Sequence, residues 1–400
     1  MSMPADLLAS AEADADRTLD LRRRLHRIPE IGLQLPLTQE VVVGELSQLP
    51  VEVHVGRAST SVVGVLRGAR PGPTFLLRGD MDALPVTEDT GLPFASSHAG
   101  VMHACGHDTH MAMLLAAARL LTERRDEIAG QVVFMAQPGE EGFHGARSML
   151  EEGLLRVVPE APVSGAFALH VSSTLDSGAV HVRPGPIMAA ADQWRVTLHG
   201  RGGHASDPAR TADPIPVAAE IVLALQSMVT RRVPVSDPAV VTVAHIVAGT
   251  TSNVIPDRAF LEGTIRTLSA QRRADVVDSV RRIAELVAAA HEMPAEFVHE
   301  AGYPVTSNDP GTAARVAGFA AELLGPDAVP PMAEPLMGAE DFSYVLQEVP
   351  GALAWLGARP PGVDPDEAPA NHSNLAVFDE TPLPAGAALL ALTALRALPA

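Results

Sequence analysis

Five side chains able to ligate a divalent cation are scattered from Cys105 to His372: Cys105 and His107 in HACGHDTH, Glu141 in QPGEEGFHGA, His170 in AFALHV and His372 in NHSN. A fold that uses them together must bring the ends of separate segments to one point. It must also return the chain to its first domain late in the sequence, so that His372 can join the others. Imidazole, thiolate and carboxylate in one set suit a borderline divalent ion such as Zn, Mn, Ni or Co. Glu140, beside Glu141, is placed to serve as a general base toward water at such an ion.

The order of the segments predicts an α/β domain. An N-terminal helix with LDLRRRLHRIP near its end leads to short apolar strands at SVVGVL and PTFLLRGD. A long Ala- and Leu-rich helix from about His110 to Arg125 follows, then strands QVVFMAQ and GAFALHV. Strands alternating with helices favour a largely parallel or mixed sheet covered on both faces. Asp80 and Asp82 follow FLLRG, Glu140 and Glu141 follow VVFMAQPG, and His170 closes AFALH. Ligands of open α/β sheets gather beyond the carboxyl ends of strands, so position and chemistry agree.

From about Met188 to Ala301 the pattern changes to strand, helix, two strands, helix, strand. That order is the ferredoxin-like arrangement, a four-stranded sheet with two helices on one face. Turn signals flank it, VRPGPI before and AGYPVTSNDPG after. The expected domains are therefore 1–187 with 302–400, and an inserted α+β domain at 188–301. A chain of 400 residues exceeds what one core usually organises, which also favours two.

The totals exclude several classes. A net charge of −19 repels phosphate backbones and anionic lipids, arguing against nucleic acid or membrane as partners. All 29 basic residues are arginine, which removes Schiff-base lysine chemistry and Walker-type phosphate binding. Cys105 is the single cysteine, so no intrachain disulfide forms. The acidic N-terminus lacks a secretory pattern, and a cytoplasmic location is expected.

Each motif alone also has a bland reading. Cys105 and His107 would point to nearly opposite sides of a helix, so joint ligation needs a turn at Gly106, with the helix beginning around Thr109. Glu140 and Glu141, in an extended conformation, would face opposite ways; otherwise they are a solvated acidic pair opening a helix. Asp82 in RGDMDALP could orient His107 through its carboxylate, or simply cap a turn. His170 and His372 could be satisfied core histidines. His204 in GRGGHASDP, Asn253 in TSNVIPD and Arg266 in GTIRT could polarise a carbonyl or clamp a carboxylate, or be ordinary surface residues. Asp80, His103, His110 and His144 take no assigned role.

Together these motifs, with LRRRLHRIPEIG and GAEDFSY, resemble the M20 family of metallopeptidases and amidohydrolases. The most similar branch is that of hippurate hydrolase, bacterial N-acyl-amino-acid amidohydrolases and plant auxin-conjugate hydrolases. The resemblance implies a zinc-peptidase-like, three-layer α/β/α catalytic domain with an inserted lid that also forms a homodimer. It implies two divalent metal ions held by Cys105, His107, Glu141, His170 and His372, with Glu140 as base and Asp82 as the supporting aspartate. In other branches the position of Asp80 is a metal-binding histidine. His204 matches a lid histidine that can reach the partner subunit's active site; Asn253 and Arg266 match positions engaging the substrate's carbonyl and carboxylate. The expected activity is hydrolysis of the amide bond of a small N-acyl amino acid. The alternatives are dipeptide or carboxypeptidase cleavage by the same site, thiol catalysis by Cys105, or metal binding without turnover.

Overall fold

The computed structural model describes residues 2–398. The chain divides into two compact units. One runs to Ile187 and resumes at Ser307–Glu334 and from Asp341 onward; the other is Met188–Thr306 with Pro335–Glu340.

The first unit opens with helices α1 (Met3–Ala13), α2 (Ala15–His26) and α3 (Pro36–Leu46). Strands β1 (Glu52–Val55), β2 (Val62–Arg67) and β3 (Arg70–Asp80) follow, then helix α4 (His107–Glu123) and strand β4 (Ala129–Gln137). Helix α5 (Gly145–Glu151) and strands β5 (Val163–Asp176) and β6 (Val180–His181) complete the part before the second unit.

The second unit contributes strand β7 (Ala190–His199), helix α6 (Pro214–Arg232), strands β8 (Ala239–Ala248) and β9 (Arg258–Thr267), helix α7 (Ala270–Ala290) and strand β10 (Ala295–Ala301). The chain then returns through α8 (Pro310–Leu324), α9 (Ser343–Glu348), β11 (Gly351–Arg359) and α10 (Leu383–Ala397).

In the first unit seven strands form one sheet in the order β1-β2-β4-β3-β5-β11-β6. The central pairs β4/β3, β3/β5 and β5/β11 are parallel; β1, β2 and β6 pair antiparallel at the margins. Every residue of β4 is buried, as a strand covered on both faces must be. Alternate residues divide between two cores. Val132, Phe134 and Ala136 of β4 and Phe167, Leu169 and Val171 of β5 join the core built with α1, α2, α4, α8 and α10. On the other face α5 and α9 pack together, α5 against β4. The result is an α/β/α sandwich. Helix α4 is buried from His107 through Leu121, far more than a surface helix of an amphipathic kind would be.

The second unit follows the βαββαβ order. Its antiparallel sheet runs β8-β9-β7-β10, the ferredoxin-like arrangement. Trp194, Val196 and Leu198 of β7 pack with Ile221 and Leu225 of α6 and Val276 and Val280 of α7. Buried Asp192 ties this unit together: it receives both Nε and Nη2 of Arg273 at 2.7 Å and faces Nε2 of His299 at 2.9 Å.

Removing that carboxylate strands the Arg273 guanidinium, so Asp192→Ala should destabilise the second unit by on the order of 3 kcal/mol. The two tryptophans fall one in each unit, Trp194 and Trp355. Urea unfolding followed in single-tryptophan variants should therefore show the Trp194 transition moving down while that of Trp355 moves less.

Candidate metal centre

The first half of the site is a turn that runs straight into a helix. Helix α4 begins at His107 itself, two residues earlier than the sequence suggested, and Gly106 in front of it is left-handed with φ +84°. This conformation swings Cys105 and His107 to the same side. A Cβ on residue 106 would meet Val171 Cγ2 at 2.5 Å, so space as well as φ demands glycine. His107 Nδ1 donates to the Asp82 backbone carbonyl at 2.8 Å, which keeps a proton on Nδ1 and leaves Nε2 facing inward. The next residue, Asp108, points the other way. It meets Arg22 Nε and His26 Nδ1 of α2, each at 2.8 Å, and so fastens the start of α4.

The second half is the segment after β4. Glu140 and Glu141 lie in a turn, not in the extended strand end expected from the sequence. Both of their amides donate to one carboxylate, Glu140 to Asp82 Oδ1 at 3.0 Å and Glu141 to Asp82 Oδ2 at 2.9 Å. Asp82 serves His107 twice, its carbonyl accepting from Nδ1 and its Oδ1 standing 3.5 Å from the same nitrogen, while both carboxylate oxygens also hold the acidic turn. Glu140 is buried and Glu141 nearly so.

His170 and His372 complete the cluster. His170 Nδ1 donates to the carbonyl of Val171 at 2.8 Å, and its Nε2 stands 3.6 Å from Cys105 Sγ. His372 has φ +74°, unusual for a residue with a Cβ. Its amide donates to the Ala104 carbonyl at 2.8 Å, and its Nε2 lies 3.3 Å from Cys105 Sγ and 3.2 Å from Glu141 Oε1. Asn371 holds this loop in place. Its Nδ2 donates to the carbonyls of Cys105 and Val171, and its Oδ1 accepts from the Ser173 amide. Sequence reasoning missed Asn371, although its place beside His372 was a usable signal.

The five side chains thus converge. Ligand atoms of Cys105, His107 and Glu141 lie within 4.8 Å of one another. His107 Nε2 is buried without a hydrogen-bond partner among the described residues, which in a folded protein calls for another occupant. Sulfur, imidazole nitrogen and carboxylate oxygen together fit a borderline divalent cation.

Asp80 and His110, unassigned from the sequence, stand beside this cluster. His110 Nε2 accepts the Val171 amide at 2.9 Å, so its proton is on Nδ1, which meets Asp80 Oδ1 at 2.5 Å. Both ring nitrogens are thus engaged in hydrogen bonds, and Asp80, His107, His110 and His170 offer ligand atoms within 4.8 Å of one another. Asp80 Oδ2 lies 3.4 Å from His107 Nε2 and 2.8 Å from Arg78 Nη1.

Charge balance in the cluster is uneven. Burial opposes the charge on Asp80, but Arg78, His107 and His110 outweigh it and hold the carboxyl well below its usual range. Burial also works against a charged His107, yet Asp80 and Cys105 raise it well above the ordinary histidine value. Hydrogen bonding to Cys105 and Glu141 pushes His372 up to about 10. Burial, then neighbouring His110, pushes His170 well down.

The remaining candidates lie in the second unit. The short ladder Gly203–His204 against Val254–Ile255 sets His204 opposite Val254, next to Asn253. His204 Nδ1 accepts from the Ser206 amide at 3.1 Å, leaving Nε2 as the exposed donor. Arg266 is on β9, half-buried; burial lowers its pKa, and Asp192 partly offsets this.

Known proteins resemble this chain along most of its length. Thermostable carboxypeptidase 1 of Saccharolobus solfataricus is 39% identical over 95% of this chain and 95% of its own length. N-acetylcysteine deacetylase of Bacillus subtilis is 40% identical over 86% of this chain and 88% of its own. Among solved structures, the YXEP protein of Bacillus subtilis, described as a dinuclear metal binding peptidase from the M20 family, superposes with a TM-score of 0.83 at 34% identity, covering 97% of this chain and 99% of that one. The model of peptidase family M20/M25/M40 matches residues 76–396, and the chain belongs to that family.

Proposed function

We propose that the chain is a metal-dependent amidohydrolase that cleaves the amide bond of N-acyl amino acids. The observation that carries this reading is the meeting of five ligand side chains around Cys105 Sγ, with buried Glu140 on the adjoining turn. Cys105, His107, Glu141, His170 and His372 would hold two divalent cations. When bound, such ions polarise an amide carbonyl and lower the pKa of water.

The chain's own residues would do the rest. Glu140, held by its amide to Asp82, takes the proton of the attacking water and passes it to the leaving amine. His204, with Nδ1 occupied, offers Nε2–H to the developing oxyanion. Arg266, which makes no ion pair among the described residues, suits the substrate's carboxylate, and Asn253 its carbonyl. The deacetylase relative supports a small acyl group. The carboxypeptidase relative supports a second reading, in which the acyl group is itself an amino acid or peptide; parallel assays of N-acetyl and N-benzoyl amino acids against dipeptides separate the two.

No helix among the described residues is long and apolar enough to cross a membrane. The single free thiol suits a cytoplasmic setting. A homodimer through the second unit is supported by the edge strand β8, whose Val240, Ile246 and Val247 are exposed beside an unpaired backbone edge.

Glu140→Gln should bind manganese or zinc as wild type does yet lose about 100-fold or more in kcat; near-normal turnover would remove Glu140 as base. Arg266→Ala should raise KM about tenfold or more with kcat little changed, since it contributes binding alone. Metal uptake has a defined pH dependence. His372 is protonated in the metal-free site up to about pH 10 and must lose that proton to ligate. Apparent metal affinity should therefore rise with pH through the neutral range, with proton release detectable by calorimetry in buffers of different ionisation enthalpy. A pH-independent affinity would exclude His372 as a ligand.

A further inference from the structure

An arginine inside a buried parallel strand is costly unless every part of its guanidinium is used. Arg78 of β3 is such a residue, 2% exposed. Its Nη1 lies 2.8 Å from Asp80 Oδ2, its Nε donates to Gln137 Oε1 at 2.9 Å, and its Nη2 reaches Asp341 Oδ1 at 3.4 Å. These partners belong to different halves of the metal centre. Asp80 touches His107 and His110 on α4.

Asp341, fully buried, works on the opposite half. Its Oδ1 accepts Gln137 Nε2 at 2.6 Å and its Oδ2 accepts the Ala146 amide at 2.9 Å. Gln137 closes β4 before the Glu140–Glu141 turn, and Ala146 lies in the first turn of α5 after it. One carboxylate thus fastens both ends of the segment that carries Glu140 and Glu141. Asp82 holds the middle of that segment through its two amides.

We propose that Arg78 is a positioning residue for the hydrolytic reaction: its planar fork, acting through Asp80 on one side and Asp341 on the other, sets the spacing between the His107 side of the centre and the Glu140–Glu141 turn. The inference rests on the functional reading above. It assigns to Arg78 no contact with substrate. Lysine cannot replace it, because one ammonium is a point donor and cannot serve three acceptors set apart in one plane.

The test uses the full chain, with Arg78→Lys, which keeps the buried charge, and Asp341→Asn, singly and combined, and with Arg78→Ala for rescue by added guanidinium. Manganese binding is read by calorimetry, independently of turnover; kcat and KM are read on an N-acetyl amino acid; folding is read by thermal unfolding. Arg78→Lys should remain folded and lose about 10- to 100-fold in manganese affinity or kcat, with KM little changed. The double variant should lose no more than the worse single one, since both act on one linkage. Millimolar guanidinium should restore part of the loss in Arg78→Ala and none in wild type.

A folded Arg78→Lys protein with wild-type manganese affinity and kcat overturns the proposal. So do fully additive losses in the double variant, or a loss that only tracks the unfolded fraction without guanidinium rescue. Wild-type protein that binds no manganese overturns the functional reading, and this inference with it; normal wild-type binding with unaffected variants overturns the inference alone.

Discussion

One aspartate holds the two halves of the metal centre in register. Asp82 gives its carbonyl to His107 Nδ1 and its two carboxylate oxygens to the amides of Glu140 and Glu141. Hydrogen bonds to a charged acceptor contribute about 1.5–3 kcal/mol each, enough to hold a turn that would otherwise sample several conformations. The same residue orients one candidate ligand, His107, and holds the backbone of another, Glu141. Because Asp82 follows β3 at the carboxyl end of the parallel sheet, its position is inherited from the buried end of the strand at the centre of that sheet.

Around this residue the fold alternates between inward and outward use of neighbouring side chains. His107 turns into the centre and Asp108 turns away to Arg22 and His26, so a single helical turn serves both chemistry and anchorage. Arg22 also meets Glu380 at 3.1 Å, joining α2 to the segment before α10. His103 sits fully inside this region, where burial lowers its pKa to about 3 and keeps it neutral. Positive backbone φ at His372 is tolerated because Asn371 and the Ala104 carbonyl hold the loop on either side. The cost of such a conformation is borne where it brings an imidazole to the cluster.

Much of this was legible in the residues. Strand ends predicted where the acidic residues would collect, and glycine between Cys105 and His107 predicted a turn. The boundary of α4 was misjudged because the turn was expected to extend past His107, whereas a left-handed Gly106 completes it in one residue. The extended reading of Glu140 and Glu141 failed because no local pattern reveals that both amides share one distant carboxylate. Arg78 carried a signal, a charge within an apolar strand, that acquires meaning only with its partners. His110 illustrates the reverse: its spacing invites a ligand role, and only the Val171 amide shows that its nitrogens are taken.

The sequence by itself determined the α/β and ferredoxin-like patterns, because apolar periodicity and turn residues are local properties that survive without tertiary knowledge. It also supplied the chemistry of the donors, since thiol, imidazole and carboxylate keep their preferences wherever they stand. Tertiary structure alone decided which nitrogen of each histidine faces inward, which carboxylates face the cluster and which brace it, and how Arg78 links strands to turns. Those outcomes depend on hydrogen bonds between residues far apart in the chain, whose geometry exists only after the sheet has brought them within reach.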